Sequence, residues 1–395
     1  MSPTPVTYHS PVQPASYSWE ATDEEVAARY GLPLDEIVRF DLNTSPQPPG
    51  LVADLLAAGR FETPLSEYPP SDYRRLVEAA AATYAVGTDE LLVGAGADEV
   101  LDLIAKAFLP PGGTAVVPTP SYAMYRVLTE QRPAGVLALP RLSPAEDWAM
   151  DVGAVRAAAR EAQIIWLCSP NNPTGLAEPP GSIRRLLDGI AADAVEAGRD
   201  PATVVLDEAY AEFVGESLLP LRLEHPNLVV VRTASKAYAL AGLRVGFAVA
   251  RPELIARIAP YRPPGSVSTI SVSAVTAVLL DPTAMQANVA RVEEERGRLA
   301  AGLAAAGWQV GPSVTNFLLA DFRTPERAAA TADALLRRGL VPRAFGNGHQ
   351  LAAYLRVTIR DRAGNDRLIA AAREAQDVVD AGVPASDTSP SESDR

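Results

Sequence analysis

Five short runs are apolar at almost every position: AVV at 115–117, IIWLC at 164–168, TVVL at 203–206, LVVV at 228–231 and VGFAVA at 245–250. A strand with one face in water alternates apolar and polar residues, so strands apolar on both faces must be covered on both. The segments between the runs are long enough for helical crossovers. Upstream, Tyr73, Leu76, Val77, Ala80 and Tyr84 recur at amphipathic-helix spacing, as do Val100, Leu103, Ile104, Ala107 and Phe108. The pattern predicts an α/β fold, a mostly parallel central sheet flanked by helices.

After Arg262-Pro263-Pro264-Gly265 the character changes to long Ala/Glu/Arg-rich helices near 285–306, 325–338 and 363–380, with strands near 314–320 and 354–359. This predicts a smaller α+β domain over 266–380, joined by an N-terminal segment at 19–50, beside a large domain over 51–265. The opening MSPTPVTYHSPVQPAS, within 1–18, reads as a flexible arm without the basic and apolar regions of a secretory signal. The closing AGVPASDTSPSESDR, from 381 on, reads as disordered.

Composition removes several function classes. A net charge of −13 offers no general attraction for nucleic acid or an anionic membrane, and no apolar stretch approaches the length of a membrane span. A single cysteine, Cys168, excludes an internal disulfide and a Cys-rich zinc site and fits a reducing cytoplasm. The three histidines lie too far apart in sequence to suggest a metal motif, so no metal is expected.

Lysine usage is the sharpest chemical signal. The chain holds two lysines, Lys106 and Lys236, against 33 arginines. Where only positive charge is needed arginine serves, so a retained lysine points to a primary amine that can form an imine. Lys106 sits in the helical pattern EVLDLIAKAFL and has an easy role at the core edge. Lys236 lies in RTASKAYALAGLRVG just after a buried strand, as a reactive amine or as an incidental loop lysine. SPNNPTG at 169–175 follows IIWLC, and is either a plain turn or an Asn amide placed at the C-terminal end of a parallel strand. In VVLDEAY at 204–210, Asp207 ends another apolar run; a buried Asp needs a partner, and a cationic ring nitrogen would serve. GAGADE at 94–99 opens a helix whose backbone N–H groups can cradle a phosphate. It lacks the third glycine and the later acid of a dinucleotide fingerprint. A P-loop and a Gly-x-Ser-x-Gly elbow are also missing.

GAGADE, PTPSYAMY, SPNNPTG, DEAYAEF, RTASKAYALAGLRVG and YLRVT, in this order, resemble the fold-type I pyridoxal-phosphate aminotransferases. The likeness is closest to the histidinol-phosphate aminotransferase group and covers roughly residues 17–380. It implies pyridoxal 5'-phosphate bound to Lys236, with Asp207 at the ring nitrogen, Tyr210 and Asn172 at the phenolic oxygen, and Tyr122 stacked on the ring. The cofactor phosphate would meet the backbone of Ala97 and Asp98 and the side chains of Ser235 and Arg244. Tyr68 matches a tyrosine that reaches the neighbouring subunit's cofactor, implying a homodimer. Arg356 matches the clamp on the substrate α-carboxylate. Arg343 and Tyr17 match residues near a distal phosphate. The implied partners are amino-acid and 2-oxoacid substrates, with no nucleic acid and no membrane. The runner-up within the same fold is a decarboxylase resembling the threonine-phosphate decarboxylases. A ligand-sensing domain of a DNA-binding regulator is disfavoured, because too few residues precede the pattern for a helix-turn-helix domain. Three departures stand out: Ser45-Pro46 replaces Asn-Glu, Trp19-Glu20 replaces Pro-Gly, and Arg360 follows LRVTI where glycine is common. All three bear on substrate identity and leave the cofactor chemistry intact.

Overall fold

The structure, a computed structural model, describes residue 16 and residues 20–380. The arm expected before residue 19, residue 16 aside, and the tail after 380 lie outside them. The strands in chain order are β1 Val38–Arg39, β2 Leu91–Gly94, β3 Thr114–Thr119, β4 Gly135–Pro140, β5 Ile164–Cys168, β6 Thr203–Asp207, β7 Leu228–Thr233, β8 Gly246–Val249, β9 Gln309–Val310, β10 Phe317–Asp321, β11 Leu340–Val341, β12 Arg343–Ala344 and β13 Tyr354–Thr358.

Seven of them form one sheet in the order β2-β8-β7-β6-β5-β3-β4, with β8 antiparallel to both neighbours and the remaining pairs parallel. All five apolar runs are strands of this sheet. β5, β6 and β7 are buried at every position. Alternate residues feed two different cores, as the period of two demands. Ile165, Leu167, Val204 and Leu206 pack under the helices Arg74–Tyr84, Ser182–Ala197 and Thr269–Leu280, whereas Ile164, Trp166 and Val205 pack under Gly96–Phe108 and Met124–Glu130. Each large apolar side chain fully buried this way contributes about 1.5–3 kcal/mol relative to leaving it in water.

β2 and β4 carried no comparable signal. β4 is an edge strand with mostly exposed positions, and β2 is four residues long and runs directly into the glycine turn of GAGADE.

A third core lies among the C-terminal helices Thr283–Ala305, Pro325–Leu336 and Arg362–Asp380 and an antiparallel sheet ordered β12-β13-β10-β9. The N-terminal segment joins it: β1 pairs in parallel with β11, and Phe40 is fully buried there. The break expected after Gly265 falls later. The helix Thr269–Leu280 buries Val272, Val275 and Val278 in the large core, so the chain leaves that core at Asp281-Pro282. The proline-glycine turn at 263–265 is only a loop before a helix apolar on nearly all sides. Among the described residues no single helix is long and apolar enough to cross a membrane.

Candidate active site

The parallel strands deliver the recognised motifs to one edge. β5 ends at Cys168 before SPNNPTG, β6 ends at Asp207, and β7 ends at Thr233 before Ser235-Lys236. This C-terminal edge is where ligands bind in open α/β sheets. Here a cavity of about 370 Å³ is lined by Ala97, Asp98, Tyr122, Asn172, Asp207, Tyr210, Ser235, Lys236, Arg244, Arg343 and Arg356. Tyr68 is not among its walls. The residue is 92% exposed on the surface of this chain. Tyr17 lies outside the described residues.

Lys236 Nζ donates to the carbonyl oxygens of Leu42 and Asn43, each at 3.3 Å. Burial, reinforced by the Arg356 and Arg244 guanidinium groups, pulls the amine down to about 8, against the counter-effect of Asp98 and Asp207. A lysine so lowered is uncharged often enough near neutrality to act as a nucleophile and as a base. Lys106, by contrast, pairs with Asp102 at 2.6 Å one helical turn away.

Asp207 is buried, and both its oxygens are held by neutral donors: Tyr125 Oη at 2.8 Å on Oδ2 and the Ala209 N–H at 2.9 Å on Oδ1. Burial pushes its carboxyl up to about 6, beyond what those two hydrogen bonds recover. Tyr125 is fixed in turn by stacking on Trp166, with ring centroids 5.6 Å apart and planes 5° from parallel.

The two asparagines of SPNNPTG divide the work. The Asn171 side chain donates to the Pro120 carbonyl and to Thr174 Oγ1 and accepts from Ser121, which locks the turn. Asn172 reaches the cavity, where its Oδ1 accepts a 2.5 Å hydrogen bond from Arg356. Arg356 also donates to the Asp41 carbonyl, and its guanidinium lies 5.3 Å from the Phe317 ring. Tyr210 is buried beside Phe317, and its hydroxyl accepts from Asn43 Nδ2 at 3.0 Å.

The helix Gly96–Phe108 points its N-terminus at the cavity. Gly96 has φ +84°, and a Cβ there would stand 2.4 Å from the Arg244 guanidinium. On Gly246, which opens β8, a Cβ would stand 2.5 Å from the Ala97 nitrogen. Only glycine lets the strand, the helix start and Arg244 approach so closely. Arg244 ion-pairs with Asp98 at 3.2 Å, and Asp98 accepts from Tyr122 at 2.9 Å. Ser235 lies beside them, its Oγ accepting from Thr233 Oγ1. Backbone N–H groups at a helix start, a guanidinium and a hydroxyl form a phosphate cradle. A lowered lysine and a buried carboxylate without a cationic neighbour in hydrogen-bonding contact complete a set that fits pyridoxal 5'-phosphate.

Three residues of the site, Asn43, Tyr125 and Asp41, escaped sequence reasoning. Asn43 joins Tyr210 and Lys236 from the N-terminal segment, in a left-handed conformation (φ 53°) that asparagine tolerates well. Its signal was its place two residues before the Ser45-Pro46 departure. Tyr125 was visible as the second tyrosine of PSYAMY. Asp41 also lines the cavity and no spacing marked it, whereas Glu20, already set apart as a departure from the family pattern, lines the cavity as well.

A mostly parallel sheet carrying this site defines a pyridoxal-phosphate enzyme. The family model for aminotransferase class I and II matches residues 47–371, and the chain belongs to that family: it is a pyridoxal-phosphate-dependent aminotransferase. It is 37% identical over 357 residues to the histidinol-phosphate aminotransferase of Symbiobacterium thermophilum, a match covering 89% of this chain and 93% of the relative. The solved histidinol-phosphate aminotransferase of Sinorhizobium meliloti, in complex with pyridoxal-5'-phosphate, has a TM-score of 0.80 at 25% identity, over 92% of this chain and 96% of that one. The L-threonine-O-3-phosphate decarboxylase of Porphyromonas gingivalis shares the fold with a TM-score of 0.72 at 26% identity, over 85% and 98%.

Proposed function

We propose that the amino donor is histidinol phosphate and the acceptor 2-oxoglutarate, and that Lys236, Asp207 and Tyr210 carry the chemistry. The observation that supports this substrate most directly is the pairing of Arg343 with Arg356 across β12 and β13, with both side chains lining the cavity that holds Lys236. Two guanidinium groups on neighbouring strands suit an amine with a phosphate end and a second substrate with carboxylates at both ends. The names of the relatives agree with this reading.

Bound in this site, the cofactor supplies an electron sink for the bonds at the substrate Cα. Lys236 holds it covalently and, once released, takes and returns a proton at Cα. Asp207 holds the proton on the ring nitrogen, which its buried, uncompensated charge favours. Tyr210 and Asn172 hydrogen-bond the phenolic oxygen, Tyr122 covers the ring face, and Ala97, Asp98, Ser235 and Arg244 hold the phosphate. Arg356 orients the α-carboxylate of the acceptor, and Arg343 meets the distal anion. The exposed Tyr68 is assigned to the partner's site in a cytosolic homodimer.

The test is a set of half-reactions of the holoenzyme with histidinol phosphate, histidinol and a panel of amino acids, followed by absorbance with product analysis. A gain from the phosphate that Arg343→Gln removes supports the reading. Equal rates with and without phosphate exclude it, and release of CO₂ would point instead to decarboxylation.

A further inference from the structure

Arg343 already faces a carboxylate belonging to the protein. Glu20 Oε1 lies 3.1 Å from Arg343 Nη1, with side-chain exposures of 25% and 19%, and both residues line the cavity that contains Lys236. Arg343 and its neighbour Ala344 form β12, so the Glu20 carboxylate sits against the edge of that short strand. Asp41 adds a second negative charge on the same side, but Arg39 takes both of its oxygens, at 2.9 and 2.5 Å. Glu20 sits on irregular chain ahead of the helix Asp23–Tyr30, whereas Arg343 and Arg356 sit on paired strands. The arginines thus have backbones fixed by strand pairing, whereas the backbone that carries the carboxylate belongs to no helix or strand.

We propose that Glu20 is a specificity-determining residue: its carboxylate holds the cavity face of Arg343 and competes there with the anionic end of the substrate. This rests on the reading that Arg343 meets that anion. Two consequences follow from charge alone. A substrate with a distal phosphate must displace Glu20 and so gains less from Arg343 than an unopposed guanidinium would give. A substrate without a distal anion leaves Arg343 neutralised by Glu20 and avoids facing a bare buried cation. Glu20 thus compresses the difference between phosphorylated and unphosphorylated amines. The residue that replaces the family's usual glycine widens the range of accepted substrates.

The experiment compares wild type, Glu20→Gln, Glu20→Asp and Arg343→Gln as holoenzymes, in which the cofactor's own phosphate cradle is filled. KM and kcat are measured for histidinol phosphate and histidinol, and the Kd of inorganic phosphate by calorimetry. Glu20→Gln should lower KM for histidinol phosphate and the Kd of inorganic phosphate by about tenfold. That change should be carried by KM more than by kcat, with no matching improvement for histidinol. Glu20→Asp keeps the charge and should stay close to wild type, which separates competition from altered packing. Unchanged or weakened phosphate binding in Glu20→Gln, while Arg343→Gln raises the same KM, overturns the role of Glu20 and leaves the proposed function standing. If Arg343→Gln changes neither KM nor Kd, the reading of Arg343 as the anion site fails instead.

Discussion

Tyr125 Oη and Asp207 Oδ2 are joined by a 2.8 Å hydrogen bond that ties the helix Met124–Glu130 to the end of β6. The bond favours the charged carboxylate, so removing it leaves Asp207 easier to protonate. Tyr125→Phe should therefore shift the acid limb of the pH–rate profile upward and reduce turnover by about tenfold, the effect of losing roughly 1.5 kcal/mol from a charge-accepting hydrogen bond. Steady-state rates from pH 5 to 9 provide the check, and an unmoved acid limb would separate Tyr125 from the function of Asp207.

Asp207→Asn should stabilise the cofactor-free protein while abolishing most turnover. The folded-state value of Asp207, about 6, lies above its ordinary 3.8. The folded protein then binds more protons between those values, and stability falls as pH rises through that window. By pH 7 nearly all of the loss is present. The neutral amide should recover about 2–3 kcal/mol at pH 7, seen as a higher Tm of the cofactor-free variant. A lower Tm would mean that the charge is compensated in a way the geometry does not show.

Attachment of pyridoxal phosphate to the cofactor-free protein should speed up with pH and level off above about pH 8. Lys236 is lowered to about 8 from 10.5, so about a tenth of it is uncharged at pH 7 and about half at pH 8. Stopped-flow absorbance gives the profile. Borohydride reduction and peptide mapping should then place the adduct on Lys236; finding it on Lys106, or a rate still climbing through pH 10, contradicts this assignment.

The exposed Tyr68 gives the proposed dimer a direct test. Mixing Tyr68→Ala subunits with Lys236→Ala subunits should restore, in each heterodimer, one site with both residues intact. Recovered activity, normalised to subunit exchange measured by native mass spectrometry, is the expected result. No recovery after complete exchange would remove Tyr68 from the site.

What could be read from the residues alone follows a physical divide. Buried strands announce themselves because both faces are apolar, and the motifs at their ends inherit a position from the sheet, which is why Asp207, Asn172 and Lys236 could be named together. β4 could not be read, since an edge strand with exposed positions carries no such pattern. The helix Thr269–Leu280 was assigned to the wrong core because apolarity on all sides does not say which partner covers it. Asn43 and Glu20 meet the site only through the pairing of β1 with β11 and the packing of the N-terminal segment on the last sheet. Those contacts span some 300 residues of chain, and local spacing holds no record of them.

The hydrogen bonds from Lys236 to the carbonyls of Leu42 and Asn43 do more than orient an amine: they are a strap between the large sheet and the N-terminal segment. Committed to the cofactor as an imine, that nitrogen would keep at most one N–H, so at least one of the two backbone acceptors beside the substrate-facing residues would lose its donor. Loading the enzyme and loosening this strap are then the same chemical event. Hydrogen exchange of residues 41–44 should distinguish the loaded protein from the unloaded one without any substrate present.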